Sequence, residues 1–218
     1  MRPLCCTLLL TAACKGDKSD PIVVPDDLAM LEDLATGPPD GRADDAYPEE
    51  MNIVSGSETD YDWAHADAYV HASIADTWAA LRTGEVVVDH TRVQEWSMAE
   101  VDAGDFDYQF EIQNTSEDIV TVEFELTWIH GAVDGTKDDP AQVAFRWQKT
   151  DGTEFIERME GSGMLYAIDD STTELQLIEH LTTVGSAPED IELYFQSLYG
   201  CLLLSVSGGD MSACAAAR

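Results

Sequence analysis

The chain has 218 residues, 44% of them hydrophobic, which suffices for one sizeable buried core with some chain left over. Its 43 acidic and 11 basic residues give a formal net charge of -32, which disfavours nucleic acids and anionic membrane surfaces, since both are recognised by clustered Lys and Arg. Beyond the N-terminus no apolar run approaches the roughly 20 residues of a membrane-spanning helix, and the block Cys201 to Leu204 near the end is far too short.

The first element is an export signal. Met1-Arg2-Pro3 is a basic start, Leu4 to Leu10 an apolar stretch, and Thr11-Ala12-Ala13-Cys14 a small-residue cleavage site. Leu10-Thr11-Ala12-Ala13-Cys14 resembles the lipobox of bacterial lipoproteins, with Thr11 standing where Leu or Val is usual. The resemblance implies removal of residues 1–13 and a lipid on the sulfur of Cys14. The mature protein is then expected in the cell envelope, at the outer membrane or cell surface rather than the inner membrane. The other readings are an ordinary signal peptide or a start codon placed too early.

Lys15 to Ala66 carries 14 acidic and 3 basic residues and five scattered prolines, a composition that predicts a disordered acidic tether over residues 14–66. As a flexible coil it would reach about 40 Å. Within it, Pro25 to Leu34 has acidic residues followed by apolar ones at helical spacing, and reads either as a short helix or as a transient turn.

The folded domain is expected over residues 67–209, followed by a tail over 210–218. Asp67 to Ala72 reads as a first strand. Ser73 caps a helix over Ile74 to Leu81, and Gly84 to His90 is a connector or a second short helix. Period two then marks Tyr108, Phe110 and Ile112; Val120, Val122, Phe124, Leu126 and Trp128; and Val143, Phe145 and Trp147. Two more strands are predicted over Glu154 to Ile168, bent or bulged at Gly161-Ser162-Gly163, and over Thr173 to Val184. Ser186-Ala187-Pro188-Glu189 opens a closing helix whose apolar side includes Ile191, Tyr194, Phe195, Leu198, Cys201 and Leu202, and Gly208-Gly209 ends it.

With Cys5 and Cys6 in the signal and Cys14 lipidated, Cys201 and Cys214 remain. In an exported protein they read as a disulfide or as two unpaired thiols. No metal is expected: His65, His71, His90, His130 and His180 are scattered, and the acidic runs Asp102 to Asp107 and Asp134 to Asp139 lack EF-hand spacing. No cofactor is expected either, and the sequence leaves the oligomeric state unread.

Tyr69 to Leu81, with its Thr77-Trp78 pair, and Phe155 to Gly163 followed by Thr173 to Leu181 resemble the opening strand and helix and the last two strands of the START-like polyketide cyclase and dehydratase superfamily. The resemblance implies an α+β helix-grip fold, a curved antiparallel sheet wrapped around a long C-terminal helix. It also implies a cavity between the two that takes a hydrophobic small molecule such as a lipid, sterol or polyketide. Tyr108, Phe110, Phe124, Trp128, Phe145 and Trp147 on the sheet, with Leu198 and Leu202 on the helix, are the candidate walls, and they suit a plain packed core equally well. Candidate acid–base groups are His130, continuing the apolar parity of Val120 to Trp128, and Glu179, on the parity of Leu175, Leu177 and Leu181, with Arg158 as a partner for a carboxylate. Ser162 lacks the Gly-x-Ser-x-Gly elbow of a nucleophile. Three functions stay open: an envelope-tethered binding module for a hydrophobic ligand, a cyclase- or dehydratase-like enzyme, and a structural or partner-docking lipoprotein with a filled core.

Overall fold

The computed structural model describes residues 24–117 and 120–215; Cys14 and the signal lie outside the described residues. The elements run β1 (Met51–Ser57), β2 (Asp62–Val70), α1 (Ile74–Ala80), α2 (Gly84–Val87), β3 (Glu95–Glu100), β4 (Tyr108–Glu117), β5 (Thr121–Thr136), β6 (Asp139–Gly152), β7 (Ile156–Asp169), β8 (Thr172–Thr183), α3 (Pro188–Val206) and α4 (Ser212–Ala215). The eight strands form one antiparallel sheet in the order β1-β2-β8-β7-β6-β5-β4-β3. Its concave face packs against α3, so the α+β architecture is that of the helix-grip fold.

Pleating decides which side chains meet the helix. Ala64, Ala66, Ala68 and Val70 of β2, Phe124, Leu126 and Trp128 of β5, and Leu175, Leu177 and Leu181 of β8 face inward with Ile191, Phe195, Leu198 and Leu202 of α3. The alanines of β2 let the helix lie close, and Tyr199 of α3 donates its hydroxyl hydrogen bond to the carbonyl of Tyr69, 2.6 Å away. Helix α1 is capped by Ser73, whose hydroxyl accepts from the Asp76 N–H. The N-cap of α3 falls one residue after the predicted Ser186, at Ala187, whose N–H donates to Asp190. Ser186 is unavailable because its hydroxyl donates to Asp62 at 2.7 Å. At the other end Gly208 takes φ +69°, a left-handed turn that stops the helix. Cys201 and Cys214 form a disulfide, with Cα atoms 5.5 Å apart, that pins α4 beneath α3.

The structure differs from the predicted tether over residues 24–66. Strand β1 and most of β2 lie in this segment, extending the sheet by an edge strand. Residues 24–36 run across the convex face as a strap. Asp26–Leu28 form a single 3-10 turn in place of the expected short helix, and Leu28 is buried with Ala144 and Met164. The strap is tied down by backbone groups: the Leu31 N–H donates to the Ser162 hydroxyl at 3.0 Å, and the Ala29 carbonyl accepts from Arg146 at 3.2 Å. Acidic composition did not prevent order here because the strap relies on apolar contacts at a few positions and on main-chain hydrogen bonds, not on a continuous apolar face.

Candidate functional site

Rows of residues paired across strands build the interior. One row runs Phe110 (β4), Trp128 (β5), Trp147 (β6), Gly161 (β7), Glu179 (β8) and Ala64 (β2). Its first three rings stack, Phe110 on Trp128 at 5.9 Å and Trp128 on Trp147 at 4.7 Å between centroids. A Cβ at Gly161 would collide with the Trp147 ring, so it is the absence of that atom that lets the indole lie across β7. From there the Trp147 Nε1–H donates to Glu179 Oε2 at 3.2 Å. The next row, Tyr108, His130, Phe145, Gly163, Leu177 and Ala66, repeats the device, with Phe145 lying over Gly163.

Between this sheet face and α2 and α3 lies a cavity of about 150 Å³. Ile112, Val122, Phe124, Leu126, Leu181 and Ile191 are among its apolar walls, and Glu179, Asp89, Arg92, Asp190 and Tyr194 are among its polar ones. Arg92, 40% exposed in its side chain and ion-paired with Asp190, marks the mouth. Glu179 is 3% exposed. Burial, reinforced by the nearby Asp89 charge, pushes its carboxyl up to about 8, so it is mostly protonated at neutral pH. Burial raises Asp89 as well, against the hydrogen bonds it accepts from Thr91. Tyr194 turns its hydroxyl to the Val87 carbonyl at 3.0 Å.

Of the eight candidate wall residues, the structure puts Phe124 and Trp147 on the cavity. Phe110, Trp128, Phe145, Leu198 and Leu202 are packed into the filled part of the core, and Tyr108 sits at its margin beneath the Arg82 guanidinium. The reason is volume: stacked rings and the side chains of α3 occupy the space that a longer pocket would need. The enclosed space therefore holds a single ring, less than a sterol requires. Sequence reasoning missed Asp89, Arg92 and the aliphatic walls; Asp89 and Arg92 follow α2 in a connector that carried no motif.

The three acid–base candidates are not brought together. His130 is fully buried, accepts from Trp78 Nε1 at 3.1 Å through Nδ1, and is enclosed by the Phe110 and Phe145 rings away from the cavity wall. Burial, with Arg82 adding to it, pulls its pKa down to about 3, so it stays neutral. Arg158 is on the surface, 3.7 Å from Glu160 and over the Tyr61 ring. Glu179 alone faces the cavity.

The histidines are less scattered in space than in sequence. Because β2 and β8 pair, His65 and His180 both project to the convex face, where their Nε2 atoms lie 2.7 and 3.2 Å from Glu32 Oε1 of the strap. Among the described residues these three donors alone converge closely enough for a metal ion. The tautomer argues for a hydrogen-bonded clasp instead. His65 Nδ1 accepts the Ala35 N–H at 2.8 Å, so the ring proton sits on Nε2 and points at Glu32. A metal on that Nε2 would require the proton on Nδ1, facing an amide donor. Burial holds His65 below its ordinary value despite Glu32. For Glu32 itself burial acts upward, but the hydrogen bonds from His180 and His65 outweigh it and keep the carboxyl low.

No family model matches the sequence, and no curated protein matches it. Among solved structures the chain is similar to a protein from Thermus thermophilus (11% identity, TM-score 0.47, covering 65% of this chain and 97% of that one). It is also similar to human StAR-related lipid transfer protein 5 (8%, TM-score 0.45, 78% and 84%) and to Ara h 8.0201 (14%, TM-score 0.43, 73% and 100%).

Proposed function

We propose that this domain binds a small apolar molecule in the cavity between the sheet and α3, and does so outside the cytoplasm, anchored through a lipid on Cys14. The observation that carries the binding reading is the cavity itself: a partly enclosed space with mainly apolar walls in a core otherwise filled by stacked rings. A docking protein with no ligand has no need of such a space, and filling it would add stability. Native mass spectrometry of protein purified without extraction is expected to show a bound small molecule. Xenon or a neutral aromatic should perturb the resonances of Ile112, Leu126 and Ile191; no co-purifying molecule together with no perturbation refutes the reading.

Support for the anchor comes from the signal alone. A cleavage site at Ala13-Cys14 leaves ten residue steps between the lipid and Val24, the first described residue, and an extended chain of that length spans at most about 35 Å. The domain would then work close to the membrane surface. Two or more acyl chains on Cys14 would make attachment durable, each buried methylene contributing about 0.8 kcal/mol. Mass spectrometry should find a lipid-modified Cys14 in the membrane fraction, and Cys14→Ala should release the protein; an unmodified Cys14 there overturns the anchor.

A further inference from the structure

The ligand reading leaves open what kind of molecule enters, and the polar part of the cavity wall speaks to that. Three carboxyl groups line it, Asp89, Glu179 and Asp190, against one guanidinium, Arg92, which is already paired with Asp190 at the mouth. Glu179, buried beyond nine-tenths, uses Oε2 to accept from Trp147, while no protein group within the described residues hydrogen-bonds its Oε1. Asp89 has Oδ1 occupied by the Thr91 N–H and hydroxyl, at 3.0 and 2.5 Å, and Oδ2 without such a partner. Tyr194 is committed to Val87. Asn114, Ser116 and Thr183 complete the polar wall, but its unpartnered carboxyl oxygens belong to Glu179 and Asp89; the Arg92 charge favours the ionised form of both, while its ion pair is with Asp190.

Such a wall discriminates by charge. A carboxylate ligand would add an anion beside two buried acids, and the Asp89 charge already raises the cost of ionising Glu179. An ammonium reverses the sign of that interaction and supplies the donors that Glu179 Oε1 and Asp89 Oδ2 lack. The whole cavity, about 150 Å³, has room for one six-membered ring, which limits the ligand to a single ring or short hydrocarbon.

We propose that the cavity is selective for a small apolar amine, its ring or short hydrocarbon body among Ile112, Phe124 and Leu126 and its ammonium held by Glu179 and Asp89. This rests on the cavity being a ligand site. The amine's advantage over an uncharged analogue is one charge-assisted hydrogen bond or more, about tenfold in affinity.

The test uses three single-ring molecules that differ only in the polar group, benzylamine, benzyl alcohol and benzoate, titrated at pH 7 by calorimetry. The Trp147 indole N–H resonance serves as the reporter of the cavity's acidic end. The amine is expected to bind about tenfold more tightly than the alcohol, and the carboxylate more weakly than either. In Glu179→Gln and in Asp89→Asn, each checked for cooperative unfolding, the amine-to-alcohol ratio measured on the same variant should collapse toward one. Carboxylate binding as tight as amine binding overturns the proposal, as does an amine preference that survives both substitutions. If the alcohol fails to bind along with the other two, the ligand site itself falls; if the alcohol binds and the amine holds no advantage, only the amine does.

Discussion

Glu179→Gln is also the sharpest test of how the interior is built, through stability rather than binding. In the unfolded chain Glu179 loses its proton near 4.5, and in the folded protein it keeps it to about 8. The folded state therefore binds the proton more tightly, and the sign follows from linkage. Stability from this group is complete below pH 4.5, declines between 4.5 and about 8, and is flat above that. At 1.36 kcal/mol per pH unit the full decline is about 5 kcal/mol, and between pH 5 and 7 it is about 3 kcal/mol. Gln keeps the volume and an acceptor for Trp147 Nε1 but has no proton to lose. Urea unfolding of both proteins, followed by tryptophan fluorescence at pH 5, 7 and 9, should show the variant gaining on the wild type by about 3 kcal/mol from pH 5 to 7. Asp67, buried on the convex face and pushed up to about 7, destabilises in the same direction as pH rises, but it is common to both proteins and cancels in the difference. A gap between the two proteins that does not change with pH would refute the placement of Glu179 in a dry environment.

Three further outcomes are expected. Gly161→Ala should lower stability by about 1–3 kcal/mol and shift the Trp147 indole resonance, because the new methyl displaces the ring that bonds Glu179; a near-neutral effect on melting temperature contradicts the row described above. Acid should loosen the strap. His65 must be neutral to accept the Ala35 N–H, and its pKa lies below 6.5 when docked, so docking is favoured above that pH and weakened as pH falls through it. Hydrogen exchange at residues 31–36, corrected for intrinsic rates, should accelerate from pH 7.5 to 5.5, and equal protection at both contradicts the clasp. Reducing Cys201–Cys214 opens a loop with a sequence separation of 13 and should cost about 3 kcal/mol, read from the denaturant midpoint with and without reductant.

Strands β4 to β8 and both ends of α3 were legible because their signals are local: period-two apolar residues, and a proline and paired glycines at the helix ends; the Asp134-Gly135 pair, a turn by its residue types, lies instead inside β5 at a register shift, with the reversal at residues 137–138. Strand β2 was read only from Asp67 onward because its inward residues are Ala64, Ala66 and Ala68, and alanine carries no strand preference. Strand β3 alternates Trp96 and Met98 with polar neighbours, but six residues between turns give little pattern to read. The strap was invisible in principle: Leu31 meets Ser162 and Glu32 meets His180, contacts spanning 131 and 148 residues with no periodicity at all. For the site, the parity of Glu179 on β8 was readable, and its environment was not, since that depends on Gly161 in the neighbouring strand leaving room for an indole from the strand beyond.

The same register explains how one sheet keeps two opposite chemistries apart. Glu179 and His180 are consecutive on β8, so the pleat sends the first into the cavity and the second to the clasp with Glu32. A slip of one residue would exchange them, placing an imidazole among apolar walls and a carboxyl against Glu32, a like charge. What prevents the slip is distributed along the strand: Leu175, Leu177 and Leu181 are each nearly fully buried on the concave face, and Glu179 is flanked across the ladder by Ala64 and Gly161, the two smallest residue types. The large side chain that reaches over Gly161 is Trp147, and it donates to the carboxyl it covers. Packing thus selects the face on which Glu179 lies, and the hydrogen bond accepts the consequence of burying it. The charge that burial suppresses is then available to any cation able to enter past Arg92, which is why ligand selectivity and pH-dependent stability are two readings of one side chain.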